Sequence, residues 1–379
     1  MPVSLAEYFR RIAPARSVES TSPAPSKPER MAARAERVAA KAHADAERAR
    51  RKAEKAEQRA AEQRAQDETS ALAYDHYLHV REWARSVCAP APVGPAALAP
   101  LWDADRETIA CLRRWCEPIT GVRAGDYDAP SEPLIRKLQR EVMSLSSHRG
   151  TELLVAEPPA LGGFGVLRGG RRLNEDTLRW FAAAIALQDG GVLGQFRGDA
   201  PRQLVWEIGG GWGGFAYAFK TLCPNVTYLI TGVPEMLLVS AVYLMTVFPG
   251  ARCRFVEPGG APSRDSWQDA DFVFAPESAL SSWRPGPVAL TLDVMALRTM
   301  DAGRVQAYVQ HAYDSGSLFF YSMLPSPSAP DDASHVWAAI GRSYWLHPVP
   351  PRGIEGVAFP PQAADDGYAH LVGWRRMRP

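Results

Sequence analysis

Between Glu29 and Glu68 only Met31 and Val38 are large apolar residues, yet alanine recurs at 32, 35, 39, 42, 46, 49, 53, 56 and 60. The steps alternate between three and four, which is the seam of a heptad repeat, and the stretch contains no glycine or proline. The pattern predicts one long alanine-rich helix over 29–87, with a coiled-coil seam along 29–68. Such a seam buries little area per layer but lets two helices approach closely. Glu47–Arg51 is a favourable pair at helical spacing, whereas Arg30–Arg34, Arg37–Lys41 and Arg51–Lys55 repel. This balance favours a paired helix, and hence a homo-oligomer through residues 29–68. A solvated, partly frayed helix without a partner is the alternative.

Apolar content rises over 69–87 (Leu72, Tyr74, Tyr77, Leu78, Val80, Trp83), and "CAPAPVGPAALAP" (88–100) then breaks the helix. A helix is predicted over "RETIACLRRWC", capped by Asp103 or Asp105. Another is predicted over "EPLIRKLQREVMSL", capped by Ser131 with Pro133 in its first turn. "ELLVAEPPALGGFGVLRGG" reads as short extended pieces joined by a glycine turn, and Asn174 opens the helix "EDTLRWFAAAIAL". From residue 202 onward strand and helix patterns alternate. Strands are expected at "QLVWEIG", "VTYLITG", "CRFVEP", "DFVFAP", "VALTLDVMAL" and "SLFFYSML", with a last antiparallel pair, "SYWLHPV" and "YAHLVGWRRM". The fold class that follows is α/β, a doubly wound and mostly parallel sheet preceded by an all-helical N-terminal region. Four regions are expected: a flexible N-terminus (1–28), the long helix (29–87), a helical linker or cap (88–150) and the α/β domain (151–379).

Composition narrows the functions available. Of 379 residues 46% are apolar, enough for a large core. The 43 basic and 42 acidic residues leave a formal charge of +1, which gives nucleic-acid binding no support. The five cysteines (Cys88, Cys111, Cys116, Cys223 and Cys253) lack zinc-site spacing and read as thiols of a reducing cytoplasm. No secretory leader is expected from "MPVSLAEYFRRIAPARS", although Leu5, Tyr8, Phe9 and Ile12 fall at helical spacing. No uncharged apolar run is long enough for a transmembrane segment.

The strongest chemical signal is "LVWEIGGGWGGFAYAFK" (204–220), where an apolar run ends in Glu207 and five glycines fall among the next seven residues. Open α/β sheets bind ligands beyond the carboxyl ends of their strands. Gly209, Gly211 and Gly214 fit the dinucleotide pattern G-x-G-x-x-G, but the acid expected at the end of the next strand is absent, since "VTYLITG" ends in Gly232. The other reading is Glu207-x-Gly209-x-Gly211-x-Gly213: bare backbone against a cofactor's amino-acid end and a carboxylate for its ammonium group.

This loop resembles the first motif of class I methyltransferases that use S-adenosylmethionine. Over a longer window, "VWEIGGGWGGFAYAFKTLCPNVTYLITGVPEMLLVSAVYL" resembles the putative sugar O-methyltransferase family of bacterial polysaccharide clusters, with Pro224–Asn225 and Pro234–Glu235 also matching. The resemblance covers about half the chain and omits the alanine helix. It implies a Rossmann-like methyltransferase domain, S-adenosylmethionine bound by Glu207, Gly209, Gly211 and Gly213, and a sugar or glycan hydroxyl as acceptor. Two departures stand out. Gly232 replaces the acid that grips the cofactor's ribose, where Glu235 one helical turn on is a candidate substitute. In "LDVMALRTM" Asp293, Ala296 and Thr299 replace the family's Asn, Ser and Glu.

Methyl transfer to a hydroxyl needs alignment and a base. Asp293, at a strand end, and His335, in the segment after "SLFFYSML", are the catalytic candidates. Asp331 and Asp332 beside His335 read equally as helix caps; His311 and His347 have weaker cases. No metal is expected. Trp212, Tyr217, Trp283, Tyr321 and Trp337 offer stacking surface or core. Two rival readings remain: a degenerate methyltransferase-fold scaffold assembled by its coiled coil, favoured by the departures, and a nicotinamide-dependent oxidoreductase.

Overall fold

The computed structural model describes residues 26–87, 96–257, 267–281, 286–325, 334–350 and 368–377. The apolar residues at positions 5–12, together with Cys88, Trp283, Asp331 and Asp332, lie outside the described residues. The chain divides into two compact units, Met1–Arg64 and Ala65–Pro379.

Helix α1 spans Lys27–Val87. Pro28 sits in its first turn, where the missing N–H costs nothing. Up to Arg64 every described side chain is exposed, the alanine seam included. Glu47 accepts from Arg51 at 2.6 Å, the pair expected from spacing, and Arg50 donates to Glu54 at 2.8 Å.

In the second unit the remainder of α1 is amphipathic. Ala73, Tyr77, Val80 and Ala84 are fully buried, a three- and four-residue spacing that lays one face on the core. Trp83 Nε1 donates to the Val256 carbonyl at 3.2 Å. The helix expected over 106–116 is broken. Asp105 caps α2 (Arg106–Ala110) by accepting from Thr108 N, then a tight turn, Leu112–Cys116, leads into α3 (Glu117–Thr120). The break turns Arg113 inward to two buried carboxylates, so tertiary pairing overrides helix propensity here. Helix α4 (Glu132–Arg149) has the predicted Ser131 cap. The segment 152–163 forms turns instead of strands, as Pro158 and Pro159 cannot donate to a ladder. Only β1 (Val166–Arg168) and β2 (Arg171–Leu173) pair, as a hairpin turning on Gly169 and Gly170. Helix α5 (Glu175–Asp189) starts with a reciprocal capping box between Asn174 and Thr177.

The α/β half follows the predicted alternation: β3 (Gln203–Ile208), α6 (Gly214–Leu222), β4 (Val226–Gly232), α7 (Pro234–Val247), β5 (Cys253–Phe255), β6 (Phe272–Pro276), β7 (Val288–Val294), α8 (Ala302–Asp314), β8 (Phe319–Pro325), α9 (Ser334–Ser343), β9 (Tyr344–Pro348) and β10 (Tyr368–Arg375). The strand order is β5-β6-β4-β3-β7-β8-β10-β9, parallel throughout except β10, which runs antiparallel to both its neighbours. This is a doubly wound Rossmann-like sheet whose order reverses between β3 and β7. All seven residues of β4 are buried, as expected of a central parallel strand covered on both faces. Helix α7 is apolar almost all round and must be covered too. The turns at 96–103, 112–116 and 160–162 pack on it, so the helical region before the sheet is part of the same core.

Candidate functional site

A cavity of about 580 Å³ opens at the carboxyl edge of the sheet, at the switch point, which is the size and place of a small-molecule site. Glu207 and Gly209–Gly211 line it from the end of β3, Gly232 and Val233 from β4, Glu277 from just past β6, and Val294–Ala296 from β7.

Local sequence explains the loop after β3. Gly209, Gly211 and Gly213 all have positive φ, of 63°, 53° and 89°, a region L side chains rarely enter. Gly209 is doubly constrained, because a Cβ there would lie 2.6 Å from the Ala296 Cβ of the neighbouring loop. Its N–H donates to the Thr231 carbonyl at 2.7 Å, tying the loop to β4. Gly213 lies against Leu244 and Ser240 of α7 and supports the cradle from behind.

Glu207 is 1% exposed and accepts one hydrogen bond, from Tyr228 O–H at 3.0 Å. Burial pushes its carboxyl up to about 8, the Tyr228 hydroxyl opposes this, and Asp293 nearby adds to it. Glu207 thus combines burial, a raised proton affinity and bare glycine backbone on one side of the cavity.

The other expected residues are placed differently. Asp293 is fully buried and does not line the cavity. One oxygen accepts from Ala296 N and Leu297 N at 2.9 and 3.0 Å, and the other from Ser322 Oγ at 2.7 Å. Burial raises its carboxyl to about 6 against those three donors. Its geometry is that of a brace for the 295–299 turn, in which Met295 holds a φ of 66°. His335 is half-buried in α9 and stands behind the wall, its Nε2 3.3 Å from the carbonyl of Met300, which does line the cavity. Glu235 is 3% exposed with neither oxygen hydrogen-bonded, and it is absent from the cavity wall although Val233 and Met236 are in it. Of the aromatic candidates among the described residues, Trp212 lines the cavity and Tyr217, Tyr321 and Trp337 do not.

Several wall residues had no local signal. Glu277 accepts from Arg304 at 2.7 Å and from Tyr308 O–H at 3.1 Å. Arg179 and Trp180 reach the cavity from α5, and Pro118–Thr120 from α3. Behind Trp212 lies a buried ionic network. The Arg113 guanidinium is sandwiched 3.9 Å from the Trp212 centroid and 4.5 Å from that of Phe164. It donates to Glu157 at 2.8 Å and to Asp176 at 2.7 Å. The glycine loop is thus fixed from its far side by a pairing more than forty residues long in sequence. Its strand–glycine signature was legible, but the partners of Trp212 were not.

Among the described residues no group of three or more His, Cys, Asp or Glu side chains is placed to hold a metal ion, and no helix is long and apolar enough to cross a membrane.

A doubly wound sheet with a cavity at its switch point defines the class: a Rossmann-like α/β domain. No protein-family model and no curated protein matches the chain. Solved structures that resemble it in fold include a pyocyanin biosynthetic protein and two methyltransferases. The pyocyanin biosynthetic protein PhzM matches with a TM-score of 0.33 at 13% identity, over 52% of this chain and 57% of that one. Magnesium protoporphyrin IX methyltransferase from Synechocystis PCC 6803, with bound S-adenosylmethionine, matches with a TM-score of 0.34 at 9% identity, over 65% and 99%. The N-methyltransferase NodS from Bradyrhizobium japonicum WM9, in complex with S-adenosyl-L-homocysteine, matches with a TM-score of 0.34 at 11% identity, over 62% and 99%. The likeness is one of fold.

Proposed function

We propose that the chain is a cytoplasmic S-adenosylmethionine-dependent O-methyltransferase acting on a sugar or glycan hydroxyl. The observation that carries the cofactor is Glu207: a buried carboxyl with a raised proton affinity, at the end of the first central strand, facing a cavity floored by glycine backbone. An ammonium group fits that carboxylate, and the positive-φ glycines leave the backbone bare beside it. The sugar acceptor rests on the resemblance of residues 205–244 to the sugar O-methyltransferase family.

Bound there, S-adenosylmethionine supplies a methyl group activated by a sulfonium. Glu207 holds the ammonium end, and Gly209, Gly211 and Gly213 shape the loop against it. Trp212 closes the cavity from the α7 side. Asp293 and His335 act from behind the wall, fixing the turn at 295–300. Glu277, anchored by Arg304 and Tyr308, is the wall carboxylate in place to take a proton from an acceptor hydroxyl. Alignment and exclusion of water supply most of the rate in such a displacement.

Isothermal calorimetry tests this reading: S-adenosylmethionine binds at micromolar Kd or tighter and NAD does not. Silence toward S-adenosylmethionine ends it. A second reading, a scaffold with a degenerate site, draws on Gly232 and on the withdrawal of Asp293 from the cavity wall. Gly232 offers a sharp check. A Cβ there would meet nothing closer than Leu237 at 3.9 Å and Gly209 Cα at 4.0 Å, so the position has room for the acid that the resembling family carries. Gly232→Asp is expected to tighten S-adenosylmethionine binding by roughly tenfold, the worth of one charge-assisted hydrogen bond. Unchanged or weaker binding by the variant counts against ribose contact at this strand end.

The exposed alanine seam supports assembly of the chain as a homo-oligomer through 29–68. Deleting those residues is expected to lower the mass read by light scattering, and an unaltered mass removes the idea.

A further inference from the structure

We infer that α1 lays a basic stripe (Arg34, Arg37, Lys41, Arg48, Lys52 and Lys55) on an anionic lipid bilayer, holding the chain at a membrane surface without crossing it. The inference stands apart from the catalytic reading.

Residues 27–64 carry 12 basic and 7 acidic side chains, against 31 and 35 in the rest of the chain. A charge that balances over the whole molecule is therefore divided between its parts. At about 100° per residue the six basic positions fall within a sector of about 60°, and every residue from 34 to 55 in that sector is Lys or Arg. All six side chains are exposed, and the row runs roughly 30 Å along the helix. Of the acids in that span, Glu36, Glu47 and Glu54 lie at least about 80° beyond the edge of the sector, and Asp45 borders it.

Among the described residues the ion pairs of this segment are Arg50–Glu54 and Arg51–Glu47, both off the stripe. Within it Arg34–Arg37, Arg37–Lys41, Arg48–Lys52 and Lys52–Lys55 are like-charged neighbours at helical spacing, which oppose the helix. An anionic surface removes that opposition. The alanine seam lies roughly 120° round the helix, so pairing along 29–68 leaves the stripe exposed.

The shape of the row selects the anion. A straight line of charge stays tangent to a flat surface along its whole length, whereas the groove of a DNA duplex circles its axis within about 34 Å. Single-stranded nucleic acid is held on aromatic platforms, and residues 27–73 contain no Phe, Trp or Tyr. Met31 and Val38 are exposed and sit beside the stripe, so the contact is electrostatic adsorption rather than insertion of an apolar face.

Co-sedimentation of the full chain with lipid vesicles tests this. Binding is expected to vesicles of phosphatidylcholine with about 30% phosphatidylglycerol, and not to phosphatidylcholine alone. Raising the salt from about 0.1 M to about 1 M shortens the screening length from about 10 Å to about 3 Å and is expected to release the protein. Combining Lys41→Gln, Arg48→Gln and Lys55→Gln is expected to weaken binding roughly a hundredfold, at about fivefold per residue. Combining Arg50→Gln, Arg51→Gln and Arg64→Gln removes the same charge from off the stripe. Its expected effect is less than about threefold, because the width of the helix sets those positions about a screening length further from the surface. Glutamine keeps a good helix propensity, and circular dichroism establishes that both variants retain their helix. If either does not, the lipid and salt dependence of the unaltered chain decides. No binding to the anionic vesicles, binding to neutral ones, binding that survives high salt, or equal losses in the two variants overturns the assignment. So does a preference, at equal anionic charge, for a DNA duplex, single-stranded RNA or a polyuronate glycan over the vesicles.

Discussion

Glu207→Gln is expected to weaken S-adenosylmethionine binding by roughly ten- to a hundredfold, the loss of a charge-assisted hydrogen bond of about 1.5–3 kcal/mol. The same variant is expected to make the ligand-free protein more stable in mild alkali. Both effects come from one displaced proton. Burial lifts the Glu207 carboxyl from an ordinary 4.5 to about 8, so the folded chain holds a proton at pH 7 that the unfolded chain has released. Between those two values the folded state binds more protons, and its stability falls as pH rises, by up to about 1.4 kcal/mol per pH unit. Glutamine carries no such proton and can keep the Tyr228 contact. The melting temperature of the variant therefore exceeds that of the parent at pH 8–9, and the gap narrows toward pH 5.

Ligand binding shows the opposite sign. An ammonium group needs the ionised carboxylate, so cofactor affinity rises with pH toward about 8 and falls again as the ligand's own ammonium loses its proton. Near pH 7 binding releases close to one proton, measurable as a dependence of the calorimetric heat on the buffer's ionisation enthalpy. Affinity that is flat from pH 6 to 9, or a glutamine variant that binds as well as the parent, would contradict the assignment of Glu207.

Arg113→Ala is expected to have the largest effect on stability, a loss of about 3–5 kcal/mol in urea unfolding. The guanidinium is fully buried between Phe164 and Trp212, and it pairs with two carboxylates that are themselves 5% and 0% exposed, Glu157 and Asp176. Removing it leaves Glu157 with only the Asn174 amide, at 3.0 Å, and Asp176 with only Arg179 among their described partners. Burial already raises the Glu157 carboxyl, and without Arg113 that rise has little to oppose it. Combining Arg113→Met with Glu157→Gln and Asp176→Asn should recover much of the loss, since neutral groups of similar volume carry no such desolvation penalty. Arg113→Ala within 1 kcal/mol of the parent would show that the network contributes little. Cofactor binding should weaken too, because the ring of Trp212 loses the surface that holds it beside the glycine loop.

These effects divide along the line between local and distant information. The strands, α6, α7 and the Glu207–Gly213 loop were legible because each depends on neighbours a few positions away: alternation, caps and the φ that glycine permits. The Asn174 capping box and the Ser131 cap are of the same kind. The helix over 106–116 was misread because its interruption serves Arg113, whose partners lie 44 and 63 positions on. Strand-end position marked Glu207 and Asp293 alike as site residues, yet one faces the cavity and the other braces a turn. Nothing in the spacing distinguishes them, because the difference is which donors the tertiary structure brings to each carboxylate.

The sequence by itself determined the long alanine helix, the alternating sheet and the glycine cradle after an acid, since hydrophobic period and backbone permissiveness are written residue by residue. Only the tertiary structure decided which ionisable groups share the cavity. Burial and charge pairing arise between segments far apart in the chain, so the place of Arg179 and Glu277 on the cavity wall and the raised proton affinity of Glu207 emerge only when the sheet and the helices before it are assembled.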